Sequence, residues 1–335
     1  MGNIAINGFG RIGRSILRII VENNSDINVV GINDLGNYEN LAYLLKHDSV
    51  MGILDANVRI DGDKLLVDER VIQLTSIKDP SELPWKDMNV DVVVESTGIF
   101  RDNISLNKHL DAGAKKVLLT VPPKDEIDST IVLGVNDDDL KPEDKIVSNA
   151  SCTTNCLAPV AKVLNDHLGI EEGFMTTVHS YTGDQPTIDR DHKDIYRARA
   201  AAVNMIPTST GAAKAVGQVL PELEGKLKGV AVRVPTSNVS MIDLTFTSVK
   251  ETTAEEVNDV VRKACNNDKL RNVLSYTDEK LVSTDFYHNP HSSIFHTDQT
   301  FVTGKKLVRI LSWYDNEWGF SNRMADTASE ISKHL

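Results

Sequence analysis

The sequence predicts an α/β protein with two parts, a parallel sheet with helical crossovers followed by a mostly antiparallel sheet. The chain has 335 residues, and a single core rarely grows beyond roughly 250–300 residues. In the first half, short β-branched runs alternate with helix-like segments, which is typical of a parallel sheet. After about residue 150 the strand candidates become longer, and apolar and polar side chains alternate along them.

The first half contains five strand candidates and one clear amphipathic helix. The helix candidate has Ile16, Leu17 and Ile20 on one face. The run VDVVVE is nearly all apolar, as expected for a strand buried on both faces. The predicted elements are strands at 3–7, 28–33, 90–95, 117–119 and 131–135 and a helix at 12–22.

The second half contains four longer strand candidates and a last helix. Residues 182–210 lie between two of these strands and contain Arg190, Arg197 and Arg199. A loop of this length in a compact domain is usually functional or part of an interface. The predicted elements are strands at 174–181, 230–234, 241–249 and 307–314 and a helix at 321–333.

Composition argues against several classes of protein. The net charge is −12 and the basic residues are scattered, whereas a nucleic-acid-binding protein usually has a basic face. No run approaches the ~18 apolar residues of a membrane helix, and we expect no signal peptide before the first strand. Three cysteines in a large chain argue against a disulfide scaffold and favour a cytoplasmic location.

A glycine-rich turn follows the first strand. Gly8, Gly10 and Gly13 fit the pattern G-x-G-x-x-G between a strand and a helix, which is the context of a dinucleotide site. The first glycine allows the tight turn, the second allows approach of a pyrophosphate, and the third allows close helix–strand packing. Asp34 ends the second strand, where a carboxylate binds ribose hydroxyls and favours NAD over NADP. The alternatives are unrelated turn glycines and an ordinary turn aspartate.

Cys152 is the strongest candidate nucleophile. It follows a strand-like segment at 145–148 and precedes apolar residues at helical spacing, so we expect it at or near a helix N-terminus. The dipole and free N–H groups there lower the pKa of a thiol. Pro159 lies near the first turn of this helix or bends it. Cys152 and Cys156 could instead form a metal pair, but no second pair has zinc-like spacing, and Cys156 and Cys265 are more simply interpreted as buried apolar residues.

His179 is the candidate base for this thiol. It ends the strand candidate 175–179 at the start of the long loop and is followed by Ser180, Tyr181 and Thr182. A histidine alone is more often structural than catalytic, so spacing gives it only a weak case. We expect the remaining histidines to lie in loop-like or exposed segments, namely His47, His109, His167, His192, His288, His291, His296 and His334.

Six segments occur in one order across nearly the whole chain: NGFGRIGR, SNASCTTNCLAP, TTVHSYTGDQ, IPTSTGAAKA, VRVPT and SWYDNEWGFS. Together they closely resemble phosphorylating glyceraldehyde-3-phosphate dehydrogenase of the bacterial type. The resemblance implies a Rossmann-type NAD-binding domain at 1–151 and 316–335. It also implies an α+β catalytic domain with a mostly antiparallel sheet at 152–315, a long loop at 182–205, and a homotetramer.

The resemblance also implies roles for individual residues. Cys152 is the nucleophile, and His179 activates it. The substrate's phosphate and the attacking inorganic phosphate are held at two anion sites by Ser151, Cys152, Thr153, Thr182, Arg197, Thr210, Gly211 and Arg233. NAD is held by Gly8, Gly10, Arg11, Ile12, Gly13, Asp34, Lys78, Thr120 and Asn316. From the residues alone, each arginine could be a surface or interface ion pair, and Asn316 could be a turn residue.

The implied reaction is covalent. The thiolate of Cys152 attacks glyceraldehyde 3-phosphate, the thiohemiacetal loses a hydride to NAD, and inorganic phosphate cleaves the thioester to release 1,3-bisphosphoglycerate. This is a step of glycolysis and gluconeogenesis. Covalent catalysis divides one difficult step into two easier ones. We expect no metal, nucleic-acid or membrane partner.

Three alternative functions stay open at this point. Erythrose-4-phosphate dehydrogenase has the same cysteine and histidine; a thiol hydrolase or acyltransferase would use them without redox chemistry; and a non-catalytic NAD-binding protein would use neither.

The chain differs from the usual sequence of the family at four places: HDSVMG at 47–52, VPP at 121–123, Arg190-Asp191 and Phe320. Arg190 leaves some use of NADP open, and Phe320 removes a hydroxyl near the nicotinamide.

Overall fold

The computed structural model describes residues 2–335, which form two compact units. The first unit extends to Ile131 and includes Asp138–Ala150 and Ser321–Leu335. The second unit comprises Val132–Asp137 and Ser151–Phe320. No helix among the described residues is long and apolar enough to cross a membrane.

The first unit is built on a nine-stranded sheet. Strands β3 and β4 form a separate two-stranded sheet, and the other nine form the large one. The strands are β1 (Asn3–Asn7), β2 (Asn28–Asn33), β3 (His47–Asp48), β4 (Gly52–Ile53), β5 (Val58–Asp61), β6 (Lys64–Val67), β7 (Arg70–Thr75), β8 (Val92–Glu95), β9 (Lys116–Leu119), β10 (Ser129–Thr130) and β11 (Ile146–Ser148). The order across the large sheet is β10-β11-β9-β8-β1-β2-β7-β6-β5. The strands from β10 to β7 pair in parallel, and β6 and β5 extend the sheet as antiparallel strands.

The strand order of this sheet creates a crevice beside β1. Strand β1 pairs with β2 on one side and with β8 on the other, so the direction of the crossovers reverses there. Ligands of open α/β sheets bind at such a switch point, beyond the carboxyl ends of the strands. Val92, Val93 and Val94 of β8 are fully buried, as the apolar run predicts.

Three helices belong entirely to the first unit: α1 (Arg11–Glu22), α2 (Tyr38–Lys46) and α3 (Asn103–Asp111). Helix α1 buries Ile16, Leu17 and Ile20, so the predicted apolar face is the one that packs. Its first residue comes directly after the glycine turn, which places the helix N-terminus at the crevice.

The second unit is built on an eight-stranded sheet in the order β13-β14-β12-β15-β19-β17-β16, with β18 paired to β19. Most pairs are antiparallel, while β12–β14 and β16–β17 are parallel. The elements are α4 (Cys152–Leu168), β12 (Ile170–Ser180), β13 (Ile206–Ser209), α5 (Ala212–Val219), β14 (Leu227–Val234), β15 (Ser240–Ser248), α6 (Ala254–Ala264), β16 (Leu274–Thr277), β17 (Ser293–His296), β18 (Phe301–Thr303), β19 (Leu307–Tyr314) and the first residues of α7 (Trp318–Ser332).

Helix α4 covers one face of this sheet and contacts β12, β15, β17 and β19. Pro159 lies inside α4 and does not end it. The helix buries Cys156, as expected for a small apolar residue, whereas Cys265 is only partly buried. Four positions were predicted for the packing face of helix α7. Three of them, Met324, Ala328 and Ile331, are less than 2 % exposed.

Two local predictions are wrong. The chain turns at 131–135 instead of forming a strand, because Gly134 has a φ of +80° and the Val132 N–H donates to the Asn136 side chain at 2.8 Å. Only Ser129–Thr130 pairs there, as β10. His109 and His296 are buried, not exposed, because each accepts a hydrogen bond from a tryptophan indole.

Candidate active site and cofactor cavity

A cavity of about 680 Å³ opens at the switch point of the first unit. It is lined by residues that end β1, β2 and β8, including Asn7, Gly8, Asn33, Asp34 and Thr97. This volume lies within the range of small-molecule and cofactor sites, about 300–1,000 Å³. The position is the one that the glycine motif predicts for a dinucleotide.

The three motif glycines have different structural reasons. A Cβ on Gly8, whose φ is +93°, would lie 2.6 Å from the backbone nitrogen of Thr97. A Cβ on Gly13 would lie 2.3 Å from the Gly8 carbonyl oxygen. A Cβ on Gly10 would meet nothing within 4 Å. Gly8 and Gly13 are therefore required by packing, while Gly10 leaves open space before α1 for a pyrophosphate, so the turn fits the dinucleotide.

Asp34 faces the same cavity from the end of β2. Its Oδ2 accepts a hydrogen bond from the Phe9 N–H at 2.7 Å, and its Oδ1 accepts from the Gly36 N–H at 2.8 Å. Each carboxylate oxygen keeps a second lone pair for a ribose hydroxyl. The two backbone bonds fix the carboxylate at the mouth of the crevice.

The other predicted cofactor residues are spread over both units. Lys78 lines the cavity, and buried Thr120 follows β9. Arg11 and Ile12 begin α1, where the Arg11 guanidinium pairs with the Asp48 carboxylate. Asn316 belongs to the second unit, and its Oδ1 accepts from the hydroxyls of Ser180 and Ser240 at 2.9 and 2.8 Å.

In the second unit, the structure brings the candidate nucleophile and base together. Cys152 is the first residue of α4, and the Ser151 hydroxyl caps the helix by accepting from the Thr154 N–H at 3.1 Å. His179 lies at the end of β12, with its Nε2 3.6 Å from the Cys152 Sγ. The His179 Nδ1 lies 2.7 Å from the Ser180 carbonyl oxygen, an acceptor, so we assign the proton to Nδ1. The Nε2 lone pair is then free to accept the thiol proton.

Burial and the nearby positive charge oppose each other on Cys152 but act in the same direction on His179. Burial raises the pKa of the Cys152 thiol, and the Arg233 guanidinium and Thr153 oppose that rise. The sequence suggested that the helix N-terminus lowers the pKa of Cys152. The pKa is raised instead, because the effect of burial is larger. Burial and then Arg233 lower the pKa of His179 to about 3. Proton transfer from Sγ to Nε2 creates two opposite charges in contact, so the thiolate and imidazolium form together.

Two arginines lie beside the pair. The Arg233 Nη1 donates to the Ser180 carbonyl and to the Thr182 hydroxyl, each at 3.0 Å, and lies 3.1 Å from the His179 Nδ1. Arg197 donates to Asp184 and to Thr208, each at 3.1 Å. A guanidinium is a good phosphate donor. The second unit therefore offers two guanidinium groups, of which Arg233 contacts the base and Arg197 interacts electrostatically with it.

The remaining predicted anion-binding residues lie at two helix N-termini. Ser151 and Thr153 lie at the start of α4. Gly211 immediately precedes α5, and the Thr210 hydroxyl accepts from the Ala212 N–H at 3.2 Å. A Cβ on Gly211 would meet nothing within 4 Å, so the backbone there is open to a ligand. Helix N-termini bind anions.

Sequence reasoning missed Tyr314 and Asp184. The Tyr314 hydroxyl lies 2.9 Å from the Thr153 Oγ1 and 2.8 Å from the Thr177 Oγ1, and its ring meets the His179 ring edge-on at 5.9 Å. Burial would raise the pKa of Asp184, but Thr182, Arg197 and Arg233 together lower it. Both residues lie within two of the six recognised sequence segments, but only the fold shows what they contact.

These features define a class of protein. A cavity that fits a dinucleotide in one unit and a thiol–imidazole pair with two guanidinium groups in the other are the features expected of an NAD-dependent dehydrogenase. Among the described residues, no group of three or more His, Cys, Asp or Glu side chains could hold a metal ion.

Comparison with known proteins identifies the family. Residues 2–103 match the NAD binding domain, and residues 151–316 the C-terminal domain, of glyceraldehyde 3-phosphate dehydrogenase. Glyceraldehyde-3-phosphate dehydrogenase of Xanthobacter flavus is 58% identical over 98% of both chains. The enzyme of Cereibacter sphaeroides is 59% identical over 99% of both chains, and enzyme 1 of Bacillus subtilis is 53% identical over 98% of both. The chain belongs to the glyceraldehyde-3-phosphate dehydrogenase family.

The comparisons confirm the predicted resemblance, the two-part α/β fold and NAD as cofactor. The names of the relatives do not favour the erythrose-4-phosphate alternative.

Proposed function

We propose that the protein oxidises D-glyceraldehyde 3-phosphate to 1,3-bisphosphoglycerate with NAD and inorganic phosphate. The Cys152–His179 contact of 3.6 Å, with the Arg233 guanidinium beside the imidazole, is the observation that carries this proposal. The printed names of the relatives supply the substrate. A thiol, a base and two phosphate-binding cations are what this reaction needs.

Cys152 and His179 perform the first step. His179 Nε2 accepts the proton of Sγ while the sulfur attacks the aldehyde carbon and forms a thiohemiacetal. The backbone N–H of Cys152, at the start of α4, supports the developing oxyanion. The imidazolium then returns the proton to this oxygen.

Oxidation leaves a thioester on the enzyme. NAD, when bound by the residues assigned below, would supply the acceptor for the hydride of the thiohemiacetal carbon. His179 takes the hydroxyl proton at the same stage, which gives the Cys152 thioester and an imidazolium. Inorganic phosphate then attacks the acyl carbon, and the C–S bond breaks. The leaving thiolate recovers its proton from His179, and the proton of the attacking hydrogen phosphate is released to solvent. Exchange of NADH for NAD would then restore the free enzyme.

We assign the two phosphate groups to residues of the second unit. The binding groups are Ser151, Thr153, Thr182, Arg197, Thr210, Gly211 and Arg233. Cys152, which bonds to the reacting carbon, belongs to the same substrate-binding set. Hydroxyls, backbone N–H groups and guanidinium groups all donate to phosphate oxygens. Such donors concentrate phosphate at the thioester, which favours phosphorolysis over hydrolysis.

We assign cofactor binding to Gly8, Gly10, Arg11, Ile12, Gly13, Asp34, Lys78, Thr120 and Asn316. The Oδ1 of Asn316 is taken by Ser180 and Ser240, so its Nδ2 is the group that can donate to the nicotinamide carboxamide. We place the domain limits at 1–151 with 316–335 and at 152–315.

We further propose that the protein is a cytoplasmic homotetramer. The second sheet exposes Phe174, Val230, Phe301 and Leu307, and the loop 182–205 exposes Ile188, Ile195, Val203 and Met205. Contiguous exposed apolar groups mark protein interfaces. The three cysteines are free, which fits a reducing compartment.

A single assay tests the function. NADH formation is followed with glyceraldehyde 3-phosphate or erythrose 4-phosphate, each with and without inorganic phosphate. We expect rapid, phosphate-dependent NADH formation with glyceraldehyde 3-phosphate. Faster, phosphate-independent turnover of erythrose 4-phosphate would reject the assignment, and absence of NADH with either substrate would reject the class of reaction.

A further inference from the structure

The floor of the dinucleotide cavity contains a buried chain of polar side chains that the reaction above does not use. Asn33 donates to the Asn7 Oδ1 at 2.8 Å, and Asn7 donates to the Glu95 Oε2 at 2.6 Å. The His109 Nε2 lies 2.9 Å from the same Glu95 oxygen. All four side chains are at most 5% exposed. Polar groups at this depth are kept only when they are hydrogen-bonded.

Glu95 is the centre of this chain. Its Oε2 faces Asn7 and His109, and its Oε1 accepts from the Thr97 N–H at 2.9 Å and from the Thr97 hydroxyl at 2.5 Å. Four donors therefore converge on one carboxylate. This number compensates for the loss of water around a buried carboxylate.

Trp85 determines which nitrogen of His109 carries the proton. The Trp85 Nε1–H lies 3.1 Å from the His109 Nδ1, and an indole can only donate. The His109 Nδ1 is therefore the acceptor, and the Nε2–H donates to Glu95. The Trp85 contact therefore orients the His109 ring with its Nε2–H towards the carboxylate.

Thr97 connects this chain to the cavity wall. A Cβ on Gly8 would lie only 2.6 Å from the Thr97 backbone nitrogen, so Thr97 is packed against the glycine turn. The Thr97 hydroxyl also accepts from the Ile99 N–H at 3.1 Å, and Thr97 and Ile99 both line the cavity. Glu95 thus holds the segment 96–100 against Gly8 from beneath.

We propose that Glu95, held by His109 and Trp85, is a positioning residue that sets the width of the dinucleotide cavity through Thr97. The inference rests on the proposal that this cavity is the NAD site. It assigns to Glu95 an effect on NAD affinity, separate from any effect on the stability of the fold.

Two substitutions of Thr97 separate hydrogen bonding from packing. Thr97→Val keeps the shape of the side chain and loses the hydroxyl, whereas Thr97→Ser keeps the hydroxyl and loses a methyl group. NAD binding to the full-length protein is measured by calorimetry, without substrate. We expect Thr97→Val to weaken NAD binding roughly tenfold, as for loss of a hydrogen bond to a charged group, and Thr97→Ser to restore it to within about twofold. A role in packing alone predicts the reverse order.

Glu95→Gln tests the centre of the chain. An amide nitrogen would face Asn7 and His109 or the Thr97 N–H, all of them donors, so the isosteric amide cannot replace the carboxylate. We expect the KM for NAD to rise at least about tenfold, with a much smaller change in kcat at saturating NAD and in the KM for the aldehyde.

Lys116→Met is the matched control, because the buried Lys116 Nζ donates to the carbonyls of Pro142 and Asp144 in the same unit and does not line the cavity. It should lower the melting temperature and leave the NAD affinity unchanged. If the unsubstituted protein does not bind NAD, the assignment of the cavity fails. If it binds NAD and Thr97→Val binds as tightly as Thr97→Ser, the positioning role of Glu95 fails, whether or not Glu95→Gln folds.

Discussion

The candidate cofactor cavity of the first unit depends on main-chain spacing at a glycine turn, whereas the candidate active site of the second unit is formed mainly by side chains. The cavity depends on the turn from Gly8 to Gly13, because a Cβ on Gly8 or on Gly13 would collide with neighbouring backbone atoms. The active site joins residues that are distant in sequence. Cys152 and His179 are 27 positions apart, and Thr153 and Tyr314 are 161 apart.

This difference separates binding from chemistry. Changes at the cavity should alter the affinity for NAD, because the groups that we assign to cofactor binding there take no part in the proposed chemistry. Changes at Cys152 and His179 should alter the rate, because we propose that these two groups form the covalent bond and transfer the proton.

The largest effect is expected for Cys152→Ser. A serine hydroxyl in this position is a far weaker nucleophile at neutral pH, so we expect kcat to fall by at least about 10³-fold. NAD binding, measured by calorimetry, should stay nearly unchanged because Cys152 lies outside the cavity-lining residues. Substantial remaining dehydrogenase activity would remove Cys152 from its role.

His179→Asn should have the next largest effect. Without the imidazole, the thiol loses its proton acceptor, and we expect kcat to fall about 10²- to 10⁴-fold. Burial raises the pKa of Cys152, so the thiolate should form only at higher pH than in the unsubstituted enzyme. The measurement is the rate of alkylation by iodoacetamide against pH. An unchanged profile would show that His179 does not share the thiol proton.

Arg233→Leu should have an intermediate effect. Loss of one guanidinium removes hydrogen bonds to a charged ligand, and we expect the KM for inorganic phosphate or for the aldehyde to rise roughly 10- to 100-fold. Arg233 also lowers the pKa of His179, so its removal should raise that pKa. Steady-state kinetics at several phosphate concentrations measures the first effect. Arg199→Leu is the control, because Arg199 pairs with Asp189 on an exposed surface; equal losses in both variants would contradict a specific role for Arg233.

The local parts of the molecule could be predicted from the sequence. The glycine turn, α1, β8 and the start of α4 follow from patterns within a few residues, and the structure places them within about two residues of the prediction. The strand expected at 131–135 failed because Gly134 and Asn136 close a turn around apolar residues. A short apolar run does not by itself distinguish a strand from a buried turn.

The long-range parts could not be predicted from the residues alone. The contacts of Tyr314 with Thr153 and Thr177, and the burial of His109 under Trp85, depend on the order of strands in the sheets. The direction of the Cys152 pKa also needed the fold, because burial opposes the effect of the helix N-terminus. Single positions carry no signal for such contacts.

The smallest effect is expected for Asp34→Gly, at the mouth of the cavity. This change removes the carboxylate that faces the ribose and the two hydrogen bonds from the Phe9 and Gly36 N–H groups. We expect the KM for NAD to rise about tenfold and the preference for NAD over NADP to fall, since a 2′-phosphate would no longer meet a negative charge. The value of kcat at saturating NAD should change little, which is the behaviour that distinguishes the cavity from the active site. The kcat/KM ratio for NAD and NADP measures this directly. If the preference is unchanged, Asp34 is only a turn residue and discrimination between the cofactors lies elsewhere in the cavity wall.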